Sequence, residues 1–114
     1  LWGDGYQKRE LVLVDDFVSI LWALTQKFDN EIFNIGAGEE YPIRTFAEMI
    51  CTTIGYPIED IEYDTSRYVG AKSKCLNVVK IKAALPNYTL QPLEIGLKKT
   101  IDWFYEAEAY KINQ

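Results

Sequence analysis

The chain has 114 residues, 48% hydrophobic and 14% aromatic, enough for one hydrophobic core and too few for two ordinary domains. A formal charge of −5 and the lack of any histidine exclude a polyanion-binding surface, a histidine-bearing zinc site and a nucleophile activated by an imidazole. The longest apolar run, around Phe17 to Leu24, falls far short of the roughly 20 residues of a membrane span, so the chain reads as soluble and cytoplasmic, with neither nucleic acid nor membrane as a partner.

From the start, Gly3-Asp4-Gly5 reads as a turn, and Leu1 in place of Met suggests a chain that begins inside a longer protein. Leu11 to Val14 suits a short strand, with Asp15-Asp16 as the cap of a following helix. Phe17, Ile20, Leu21 and Leu24 recur at helical spacing, which predicts an amphipathic helix to about Lys27, ended by Asp29-Asn30. Ile32 to Ile35 reads as a buried strand running into the tight turn Gly36-Ala37-Gly38. Ile43, Phe46, Ala47, Ile50 and Ile54 share one face of a second helix. Its start lies either at Pro42 or at a Thr45/Glu48 capping box, and Gly55 stands at its end.

Ile61 to Tyr63 alternates like a strand, and 64–74 reads as a polar loop, long enough in so small a domain to be functional. Cys75 to Val78 suits a short extended piece, and Val79 to Leu85 a helix. Leu93, Leu97, Ile101 and Phe104 mark a last helix from about Pro92 to about Ala109. Cys51 and Cys75 read as reduced and mostly buried thiols with no metal between them.

The only Tyr-x-x-x-Lys spacing, Tyr68 to Lys72, falls in the irregular loop, where i,i+4 adjacency has no meaning. Gly36-Ala37-Gly38 imitates the opening of a dinucleotide fingerprint, but Tyr41 stands where the third glycine belongs, which makes it a structural turn. No catalytic, cofactor-binding or metal-binding residue is therefore assigned within the chain.

Five segments carry a resemblance. Leu1-Trp2-Gly3-Asp4-Gly5 through Arg9-Glu10-Leu11-Val12-Leu13-Val14-Asp15-Asp16 is similar to WGxGxxxREFxxVDD. Phe33 to Gly38 resembles an N-[VI]-G-x-G turn, and Ile43 to Glu48 resembles SIRELAE. Tyr63 to Val78 and Leu93 to Phe104 resemble FDxSKPDGxxRKxLDV and LEEGLxxTxxWF, departing at Tyr68-Val69, Lys72-Ser73 and Asn77. These are the patterns of GDP-L-fucose synthases and related nucleotide-sugar epimerases and dehydratases, in the extended short-chain dehydrogenase family.

The resemblance implies an α/β fold with a few short strands and three or four helices. Residues 1–114 would form a single domain, the C-terminal substrate-binding lobe, packed in the parent enzyme on an absent N-terminal Rossmann lobe. That lobe would bring NADP or NAD and the catalytic residues, and the fragment alone would be inactive. The partner it implies is a nucleotide-diphosphate sugar, bordered by Trp2 and bound through its diphosphate by Arg9 and Lys74, converging on one edge. The resemblance also allows a homodimeric parent. A non-catalytic binding or scaffold module that kept the lobe without the chemistry is the alternative.

Overall fold

The computed structural model describes residues 1–107 and 111. Its elements run in the order β1 (Lys8–Arg9), α1 (Val14–Thr25), β2 (Tyr41–Pro42), α2 (Ile43–Ile54), a single 3₁₀ turn (Ile58–Asp60), β3 (Ser73–Lys74), α3 (Val79–Ala84) and α4 (Leu93–Glu106). The expected α/β class is what is found. The strands form a small sheet in the order β2-β1-β3, with β2 antiparallel and β3 parallel to β1.

Four of the expected elements shift. The strand expected at Leu11 to Val14 is an unpaired extended link, and β1 lies just before it; α1 begins at Val14 with Leu13 at its N-cap. Asp15 and Asp16 therefore sit inside the first turn and make no capping bond. There they favour the helix through its dipole, and the Asp16 carboxylate accepts the Gln91 N–H at 2.7 Å. Ile32 to Ile35 forms no strand, and Ile32 is 85% exposed. A strand exists only through its ladder, and among the described residues no segment pairs with this one. Nor is Ile61 to Tyr63 a strand. Pairing there is one residue later, in a single parallel bridge between Trp2 and Asp64. Finally, β3 occupies Ser73–Lys74 within the expected loop, leaving Cys75 to Val78 without assigned structure.

The helices agree better with their periodicity. α2 starts after Pro42, without the Thr45/Glu48 capping box, and ends at Gly55 in the left-handed conformation at φ 75°. α3 and the start of α4 fall where expected, whereas the end expected near Ala109 lies outside the described residues.

The larger core joins Ile20 and Leu24 of α1 to Val78, Ile81 and Leu85 around α3, with Phe28, Phe33 and Ile35 packed at its margin. Burying aliphatic side chains of this size stabilises by roughly 1.5–3 kcal/mol each. Phe46 and Cys51 are buried on α2, which packs on α4. Cys75, in contrast, is exposed, against expectation, because the link that carries it runs along the surface. Only one stripe of α1 is covered: Val14, Phe17, Val18, Leu21 and Trp22 remain exposed on the helix.

Candidate functional site

Arg9 and Lys74 are brought together. They are register partners across the parallel pair of β1 and β3, and positions paired in this way share a face of a sheet. The Arg9 guanidinium is steadied by two carbonyls, its Nη1 donating to the oxygens of Lys8 at 2.6 Å and Ala71 at 3.0 Å. Among the described residues neither cation has an ion-pair partner, the three pairs being Asp64–Arg67, Glu31–Lys80 and Asp102–Lys98. Like charges placed opposite one another on neighbouring strands destabilise a sheet, and an anion bound between them relieves that repulsion. Neither residue lines the clefts of about 400, 410 and 560 Å³ elsewhere on the chain; Lys74 is exposed on the edge strand β3, and Arg9 is half-buried on the central strand β1.

Trp2 is 67% exposed and lies at the separate bridge to Asp64, with the Arg67 guanidinium 5.4 Å from its ring centroid. The Asp64 carboxylate organises this turn, accepting the Ser66 N–H at 3.1 Å, the Ser66 hydroxyl at 2.5 Å and Arg67 Nε at 3.1 Å. These bonds, Ser66 first and Arg67 next, hold its carboxyl below the usual aspartate value.

Two polar constructions escape the sequence reading. Glu10, next to Arg9, turns its carboxylate onto the glycine turn: Oε2 accepts the N–H groups of Ala37 and Gly38, both at 3.0 Å, and Oε1 accepts the Leu76 N–H at 2.7 Å. The turn that imitates a phosphate cradle thus has its amides filled by the chain's own carboxylate, which does not fit the seating of a pyrophosphate. Arg44, at the start of α2, lies between the rings of Tyr6 and Tyr63, 4.3 and 4.8 Å from their centroids, and donates to the Tyr6 hydroxyl at 2.6 Å. The positions that could have pointed to them are Gly5 and Gly36, since a side chain at either would strike the cluster concerned.

Tyr68 and Lys72 lie outside any helix, as their loop placement requires. Among the described residues no group of acids and cysteines could hold a metal, and no helix is long and apolar enough to cross a membrane.

Residues 1–36 match the model of the NAD dependent epimerase/dehydratase family. The chain is related to that family. It is 33% identical over 104 residues to dTDP-4-dehydro-6-deoxy-D-allose reductase of Streptomyces bikiniensis, covering 91% of this chain and 31% of that protein. With GDP-L-fucose synthase 1 of Arabidopsis thaliana it shares 30% over 105 residues, 91% of this chain and 32% of the relative. The crystal structure of dTDP-glucose 4,6-dehydratase from Bacillus anthracis, in complex with NAD, superposes with a TM-score of 0.83 at 29% identity, over 96% of this chain and 35% of that one. The chain thus spans about a third of the length of the relatives it matches.

Proposed function

We propose that this chain is the substrate-binding lobe of an NAD(P)-dependent nucleotide-sugar epimerase or reductase resembling GDP-L-fucose synthase, and that Arg9 and Lys74 bind the diphosphate of its substrate. The observation that carries the reading is the pairing of these two cations across β1 and β3, without ion-pair partners among the described residues. The planar fork of arginine can make two charge-assisted hydrogen bonds to phosphate oxygens, while lysine adds a compact charge from the neighbouring strand. Trp2, exposed beside this sheet edge in sequence, supplies a flat apolar face of the kind on which a sugar ring packs.

The dinucleotide and the reacting groups come from a Rossmann lobe supplied by the rest of the parent protein, as in the family. Bound there, the nicotinamide would accept or return a hydride, and this chain's part is to hold and select the sugar donor. The uncovered stripe of α1, from Val14 to Trp22, supports a lobe that packs against such a partner.

Binding of a nucleoside diphosphate and of the free sugar, each measured by calorimetry with Arg9→Ala and Lys74→Ala in the intact protein, tests this. Each substitution is expected to weaken diphosphate binding by about one to two decades and leave the free sugar unaffected. Unchanged diphosphate affinity in both variants would overturn the site.

A further inference from the structure

We infer that Glu10 is a positioning residue that sets the spacing of Arg9 and Lys74 by tying the end of β1 both to the Gly36–Gly38 turn and to the segment that leaves β3. The inference rests on the reading of those two cations as the diphosphate site. Glu10 directly follows Arg9, and Leu76, whose N–H it accepts at 2.7 Å, lies two residues beyond Lys74. The same carboxylate takes the N–H groups of Ala37 and Gly38 on its other oxygen. β1 and β3 are only two residues long, so few ladder bonds hold their register, and a carboxylate that accepts three N–H groups beside them is a substantial part of what does.

The surroundings are shaped to this group. A Cβ on Gly36 would lie 2.9 Å from Glu10 Oε2, 3.0 Å from Oε1 and 3.1 Å from the Leu76 Cβ, so the glycine leaves the space the carboxylate fills. The Cys75 thiol donates weakly to Oε2 at 3.9 Å. It is raised above its ordinary value, first by loss of water around the sulfur and then by the charge of Glu10. A glutamine cannot replace the carboxylate, because its amide offers one oxygen and its nitrogen would face an N–H.

The test compares Glu10→Gln, Gly36→Ala, Arg9→Ala and Lys74→Ala in the intact protein, with calorimetric binding of a nucleoside diphosphate and of the free sugar. Glu10→Gln and Gly36→Ala are expected to lower diphosphate affinity about three- to ten-fold, less than loss of either cation, and to leave free-sugar binding unchanged. In the Arg9→Ala/Lys74→Ala background, Glu10→Gln should add no further loss, which a merely structural role would not produce.

A second readout is the pH profile of Cys75 alkylation by iodoacetamide, resolved by peptide mass spectrometry. Its midpoint should fall in Glu10→Gln as the neighbouring charge disappears. Should that variant fail to fold, Gly36→Ala and the shorter Glu10→Asp carry the same comparison. Full diphosphate affinity in Glu10→Gln, alongside losses in Arg9→Ala and Lys74→Ala, overturns the role of Glu10 and leaves the site standing. Full affinity in Arg9→Ala and Lys74→Ala overturns the site, and the role of Glu10 with it.

Discussion

The helical half and the sheet edge of this chain are held by different forces. Around α1 and α3, five buried apolar side chains meet without a polar group among them. At the sheet edge the strands are two residues long, and the ties are hydrogen bonds of side chains: Glu10 on three amides, Asp64 on its own turn, Arg9 on two carbonyls and the Ser73 hydroxyl on the Glu40 carboxylate. The first construction is non-directional and tolerates exchange of one aliphatic group for another of similar volume. The second depends on particular donors and acceptors and leaves charged side chains in water, where a ligand can reach them. On the proposed reading of Arg9 and Lys74, a binding edge set on an apolar core can vary its chemistry without dismantling the fold.

The sharpest way to break the comparison is to open the core. Ile81 is 1% exposed, the most buried large side chain described, and it packs among Ile20, Leu24, Val78 and Leu85. Ile81→Ala should cost roughly 2–5 kcal/mol, from lost transfer energy and the cavity left behind. Denaturant melts would show it, and the sheet edge should lose its hydrogen-exchange protection together with the helices. Protection that survives at the strands while α3 exchanges freely would mean that the two halves fold separately.

A smaller effect, confined to the other side, is expected at Gly5. This residue has φ +76°, and an added Cβ would lie 2.9 Å from Tyr63 Cε1 and 3.0 Å from the Arg44 Cβ. Gly5→Ala combines a left-handed backbone with that clash, a cost of about 1–3 kcal/mol. The loss should appear as a changed tyrosine near-ultraviolet signal from the Tyr6–Arg44–Tyr63 stack, with helix content retained. A parallel loss of helical signal would show that the stack also supports the α2–α4 packing.

The same contrast explains what the sequence discloses. The helices are legible because Ile20 and Leu24, or Ile43, Phe46 and Ala47, recur on one face in positions that the local period alone determines. Strand positions are less so: Leu11 to Val14 and Ile32 to Ile35 have the composition of strands, but the ladder forms at Lys8–Arg9 and Ser73–Lys74, where nothing apolar marks it. Pairing is a property of two distant segments, and one segment's composition cannot supply it. Arg9 and Lys74 were legible only through resemblance, and their adjacency is a matter of register. Glu10 was hidden more deeply, since its partners are main-chain amides 27, 28 and 66 residues away, and an amide leaves no mark on a sequence.

The gentlest probe concerns the charge that orders the start of the loop leading to β3. Asp64 accepts hydrogen bonds from Ser66 and Arg67, while its own backbone bonds Leu1 and Gly3, so it fastens the beginning of the chain to that loop. Its native pKa lies below the ordinary value because Ser66, and after it Arg67, favour the ionised form. A depressed carboxyl contributes stability that is fully present above its unfolded value, about 3.9, and is lost as pH falls through the lower native value. Asn at this position keeps an oxygen for Ser66 and removes the charge together with the oxygen that accepts the Arg67 Nε–H. Asp64→Asn should therefore melt slightly below the parent from pH 7 to pH 5, and the gap should close as the pH is taken below about 4. Because the group is at the surface, salt should shrink the gap as well. Thermal melts of both proteins at half-unit intervals would check this. A gap constant down to pH 2.5 would mean that Asp64 acts through shape rather than charge, and a gap already closed at pH 5 would mean that its carboxyl is not held in the ionised form by its neighbours.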